Sequence, residues 1–194
     1  MQKLTRDNLY SLEEYSNVRK DFRSKVLAHK KDRQVNIGPN ATLYFEDTLT
    51  MQYQVQEMLR IEKIFEADGI EEELSSYNPL IPDGTNWKAT FMVEFADPDE
   101  RKVALQRLVG IEDRVWVQVT GYGKVFAVAD EDLDRATQDK TSAVHFLRFE
   151  LSEAMIAALQ EGSSLAMGID HRQYNYTVGS VDDAVRRSLV GDLH

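Results

Sequence analysis

The 194-residue sequence predicts an α+β fold: a mostly antiparallel sheet with two N-terminal helices packed on it. Three observations predict it. Apolar residues recur at helical spacing over roughly the first 80 positions, the spacing drops to two from Trp87 onward, and the later strands are joined by connections too short for parallel crossovers. A hydrophobic content of 42% with 29% charged residues is the balance of a chain that folds around one core. The reading is a single domain over 1–194, helical over 1–80 and sheet-containing over 85–194.

The first helix opens at Ser11, which can cap while Glu14 reaches back as the second half of a capping box, and it runs to about Lys31. Leu12, Tyr15, Val18, Phe22 and Val26 form its apolar stripe, and His29 falls near the centre of that stripe. Two short extended pieces follow around Gly38-Pro39-Asn40, a hairpin or corner. A second helix is expected from Thr48 to about Ala67, then a further short helix in "IEEELSSY" and a turn-rich connection, "NPLIPDGTN".

"WKATFMVEF" places Trp87, Ala89, Phe91, Val93 and Phe95 on one strand face. The next helix has Asp97 as cap, Pro98 at its first position and Gly110 past its end. Two strands joined at Gly121-Tyr122-Gly123 precede an acidic, exposed connection from Asp130 to Lys140. A strand in "AVHFLRFEL", a helix in "SEAMIAALQEG", a strand in "SLAMGID" and a helix opened by Ser180 complete the chain. The order from Trp87, β-α-β-β-β-α-β, resembles a ferredoxin-like layer with an additional strand or hairpin.

Acidic residues outnumber basic ones by 33 to 23, a net charge of −10, and a surface of that sign repels phosphate backbones, so nucleic acid is not an expected partner. With no cysteine there is no disulfide, no thiolate nucleophile and no cysteine-ligated iron–sulfur cluster in this chain. The polar start lacks a signal-like apolar run and no segment has the ~20 apolar residues of a membrane span, which makes the cytoplasm the expected compartment. "GYGK" lacks the spacing and following helix of a phosphate loop, and no serine lies in a nucleophile elbow.

Candidate chemistry centres on "YQVQEMLRIEKIF". On a helical wheel Gln54 and Glu62 fall inside the apolar arc, Glu57 lies at its edge, and Gln56, Arg60 and Lys63 point to solvent. A buried carboxylate must be paired, protonated or metal-bound. His29 and His145 lie on core-facing positions, and His171 lies in a loop just past a strand. One expectation is a buried polar network of Gln54, Glu62 and His29. The other is that His29, His145 and His171 converge with Glu62 or Glu57 on iron, manganese or zinc, although no His-x-x-x-His or Glu-x-x-His spacing supplies two ligands from one element.

"LYSLEEY", "VLAHKKDR", "LYFEDTLTMQYQVQEMLRIEKIF", "YNPLIPDG" and "VHFLRF" together resemble a bacterial family of about 200 residues catalogued as a domain of unknown function. The resemblance spans nearly the whole chain. It implies gene neighbours of rubrerythrin-like and iron–sulfur oxidoreductase type, and so a role near oxidative stress or electron transfer. Two readings follow from it: an accessory protein whose acidic surface docks on such a redox partner, or a metal-binding redox protein or metalloenzyme using the His/Glu residues. A cavity between helices and sheet that binds a small organic ligand is a third.

Overall fold

The structure is a computed structural model, and it describes residues 2–133, 135–137 and 139–194. Helix α1 (Leu12–Lys31) begins at the Ser11–Glu14 capping box and buries Tyr15, Phe22 and Val26, the stripe that the periodicity marks. Strands β1 (Gln34–Asn36) and β2 (Ala41–Phe45) form the antiparallel hairpin around Gly38. Helix α2 (Thr48–Glu62) is capped by Asp47, whose side chain accepts from the Thr50 amide.

Helix α2 ends five residues earlier than its apolar pattern suggests. Lys63 adopts the left-handed conformation, and the Ile64 amide donates back to the Leu59 carbonyl at 2.9 Å, closing the helix with a Schellman-type turn. That turn carries Ile64 back onto the helical core, while Ile61 and Phe65 stay exposed. The next helix, α3 (Ala67–Tyr77), therefore includes the Asp68-Gly69 pair expected to precede it.

Strand β3 (Asn86–Val93) alternates as expected, with Trp87, Ala89, Phe91 and Val93 buried and Lys88, Thr90 and Met92 on the opposite face. After α4 (Pro98–Arg107) come β4 (Val115–Val119), β5 (Val125–Phe126), β6 (Val128–Ala129), β7 (Val144–Glu150), α5 (Glu153–Gln160), β8 (Leu165–His171), β9 (Tyr174–Val178) and α6 (Asp183–Val190). Every strand pairing is antiparallel, as the short connections require.

The α+β class holds, with a difference in layering. The strands form two sheets, β1-β2-β3-β7-β6 and β5-β4-β8-β9, rather than one ferredoxin-like layer. Their inner faces share one core, in which Trp87, Phe91 and Phe149 of the first sheet meet Val115, Val117, Leu165 and Met167 of the second. The chain crosses between sheets at Ala127, where β5 ends and β6 begins. At another point Tyr174 Oη of β9 donates to the Ile37 carbonyl at 2.8 Å and accepts from the Asn40 amide at 2.9 Å. Gly38 is required at that seam: its φ is +72°, and a Cβ there would lie 2.7 Å from Tyr174 Oη.

Strand β9 is the element that the periodicity hides, because only Tyr174 of its five residues is buried. Its presence places His171 inside a hairpin strand, not in a loop. Helix α6 is capped by Asp182 rather than Ser180. Helices α1 to α3 have their own apolar clusters, one around Met51, Val55, Leu59 and Leu74 and another of Tyr15, Phe22 and Val26. Among the described residues, no helix is long and apolar enough to cross a membrane.

Candidate ligand-binding cleft

The residues singled out by sequence go to separate places. Glu57 is bound from α1: Arg19 clasps both its oxygens at 2.7 and 2.9 Å, and the Tyr15 hydroxyl donates at 2.7 Å. That clasp, led by Arg19, holds the Glu57 carboxyl down at about 2. Glu62 is exposed, since it is the last residue of a helix that has already left the core, so the expected network of Gln54, Glu62 and His29 does not form. Gln56, expected in solvent, is fully buried because the N-terminal segment covers it; its amide accepts from the Tyr10 N–H at 2.6 Å and donates to the Tyr10 carbonyl at 3.3 Å.

His29 is half-exposed and contacts Asp47 at 2.5 Å. Asp47 also faces Arg33, at 3.4 Å, and Arg33 forms a two-toothed pair with Asp192 at 2.5 and 3.2 Å. Burial works to raise the Asp47 carboxyl, but Arg33, the Thr50 amide and His29 together hold it below its ordinary value. Burial prevails at Asp192 and pushes its carboxyl up to about 6 against the pull of Arg33.

His145 lies elsewhere, between Asp130 at 2.5 Å and Thr141 at 2.9 Å. His171 contacts the Val109 carbonyl through Nε2, and its Nδ1 accepts from the Gln173 amide. The expected convergence of His29, His145, His171, Glu57 and Glu62 is therefore absent. Among the described residues no group of three or more His, Asp or Glu side chains is arranged to hold a metal ion.

Gln54 leads to a different feature. It lines a cavity of about 500 Å3 between the helices and the outward face of the first sheet. Leu27 and Met51 reach it from α1 and α2, Tyr77 from α3, and Tyr44, Met92 and Phe146 from the strands. The period-two alternation that buries Leu43 and Phe45 in the sandwich turns Tyr44 and Glu46 toward this cavity. Glu46 is 5% exposed; one carboxylate oxygen accepts from the Thr90 hydroxyl at 2.7 Å, and the other, Oε2, is buried without a hydrogen-bond partner among the described residues.

A neighbouring cavity of about 620 Å3 shares Tyr77, Leu80 and Phe146 with it. Its charged groups are already matched, Glu131 to Arg148, Asp132 to Arg135, and Lys88 to the Pro79 carbonyl at 2.6 Å. The unmet chemistry is in the smaller cavity. Glu46, Tyr44 and Thr90 were not marked by sequence; the available signal was an outward strand face, Tyr44 with Glu46 and Thr90 with Met92, too bulky and too mixed for plain solvent.

Fold and cleft define the class: an α+β protein of two antiparallel sheets with a helical layer over one of them and a half-open cavity beneath that layer. The chain belongs to the family described as protein of unknown function (DUF3501), which matches residues 3–193. It is similar to the crystal structure of a novel protein of unknown function from Burkholderia pseudomallei K96243, with 52% identity, a TM-score of 0.95 and 100% of each chain covered. No curated protein matches it.

Proposed function

We propose that this chain is a non-catalytic binding protein whose ligand, a small organic molecule, occupies the cavity of about 500 Å3 between the helical layer and the sheet. The observation that carries the reading is Glu46, which lines that cavity and whose Oε2 is a buried acceptor with no partner among the described residues. Buried polar atoms are almost always paired, because leaving one unmet costs roughly 1–3 kcal/mol. A volume of this size suits a small ligand, and apolar walls with a few polar groups are the usual composition of such sites.

The test uses N-phenyl-1-naphthylamine, a neutral dye that fluoresces when it leaves water. Saturable, single-site enhancement is expected with the intact protein, and its loss in Gln54→Trp, which fills the cavity from the α2 side. Non-saturable fluorescence, or equal binding by Gln54→Trp, would sink the reading. The accessory role implied by the family resemblance is compatible with it: a net charge of −10 favours a basic docking partner. Rubrerythrin-like and iron–sulfur oxidoreductase proteins are the partners to try first by co-purification.

A further inference from the structure

The polar groups around the cavity are unequal in sign and depth, and that inequality selects among ligands. Deep in the wall lies a carboxylate, Glu46, with Oε1 satisfied by Thr90 and Oε2 unmet. An acceptor-only group in that position calls for an N–H or O–H donor, and a protonated nitrogen makes the strongest such bond. Tyr44 and Tyr77 line the same cavity, and aromatic rings of this kind are suitable neighbours for a cation. Lys30 and Lys31, from the last turn of α1, line the same cavity and place positive charge there.

We infer that the cavity takes an apolar molecule carrying one protonated nitrogen, with that nitrogen on the Glu46 carboxylate and no second positive charge. This rests on the binding reading above. An anion meets Glu46 with the wrong sign and finds its partners only at Lys30 and Lys31, which are nearer the solvent than Glu46, and a neutral hydrocarbon leaves the Glu46 acceptor unpaired. A dication satisfies Glu46 with one end and brings the other toward Lys30 and Lys31.

Three probes of similar girth separate these cases when each competes with bound N-phenyl-1-naphthylamine: phenethylamine, 3-phenylpropionate and p-xylylenediamine. Phenethylamine is expected to displace the dye at a concentration about tenfold or more below either of the others, the scale of one charge-assisted hydrogen bond. Glu46→Gln keeps an oxygen for Thr90 and should still bind the dye while its preference for phenethylamine over 3-phenylpropionate collapses. The double variant Lys30→Glu/Lys31→Glu, placed at the end of α1, should bring p-xylylenediamine close to phenethylamine. Equal displacement by phenethylamine and 3-phenylpropionate, or a preference that survives Glu46→Gln, would overturn the ligand class while leaving the cavity in place. If the dye itself fails to bind, the binding reading falls and this inference with it.

Discussion

His145 has no exposed surface, and its ring meets oxygen on both sides. Nδ1 faces Asp130 Oδ2, while Nε2 faces the Thr141 hydroxyl at 2.9 Å and the Ser142 carbonyl at 3.2 Å. Asp130, Thr141 and His145 thus have the connectivity of a catalytic relay, yet Thr141 is 1% exposed and its hydroxyl donates to Glu112 Oε2 at 3.0 Å. A hydroxyl closed off on both sides is an anchor rather than a nucleophile. The cluster fastens both ends of the connection after β6. Asp130, at φ 50°, also accepts from the Phe146 amide and from Arg135, so the stretch read from sequence as exposed begins on a half-buried, fully engaged side chain. Thr141→Val keeps the shape and removes the hydroxyl between His145 and Glu112. It is expected to lower stability by about 1–3 kcal/mol in urea denaturation, the cost of leaving buried polar partners unmet. A change within a few tenths of a kcal/mol would mean that the cluster is not a fastening.

Helices with strong local signals were legible at the scale of elements. The Ser11–Glu14 box and Asp97-Pro98 act within one turn and the Tyr15–Phe22–Val26 stripe within about three, so each is written in a single stretch of chain. The outward orientation of Glu62, the burial of Gln56 and the strand β9 depend on which distant segment arrives, and no local pattern encodes that arrival. The candidate site divides the same way: Gln54 stood out on the helical wheel, whereas the open oxygen of Glu46 exists only once α1 to α3 lie over the sheet. Arg33 is a further case. It is 2% exposed and joins the end of α1, the carbonyls of Phe45 and Glu46, and Asp192 just after α6. Arg33→Met leaves Asp47 and Asp192 buried without their shared cation, and a loss of about 3–5 kcal/mol is expected in chemical denaturation. Adding Asp192→Leu should recover part of it; a double variant no more stable than Arg33→Met would mean that the Asp192 charge is not what the single variant exposes.

Across the whole molecule the acidic excess makes pH the natural probe of how the parts are held together, and two carboxylates oppose each other. Glu57 joins α1 to α2 and titrates at about 2 in the folded chain against an ordinary 4.5, chiefly because Arg19 is hydrogen-bonded to it. The folded state therefore holds fewer protons on Glu57 between those values. Its contribution is complete above about pH 4.5 and is lost as pH falls through 2. Asp192 has the opposite sign: burial lifts it from 3.8 to about 6, so its contribution is complete below pH 3.8 and is lost as pH rises through 6. Wild-type stability should consequently fall on the acid side through a limb that Glu57 shares with Asp47 and the other carboxylates held low, opposite in sign to the change centred on Asp192. Glu57→Gln isolates the Glu57 share of that limb. Arg19 is 36% exposed and solvent screens part of the pair, so the variant is expected to be less stable at pH 7 by on the order of 1–2 kcal/mol. The deficit should shrink as pH falls below 4.5 and vanish near 2, read from urea midpoints across that range. A deficit independent of pH would show that Glu57 holds the two helices together through packing alone, with its charge playing no part.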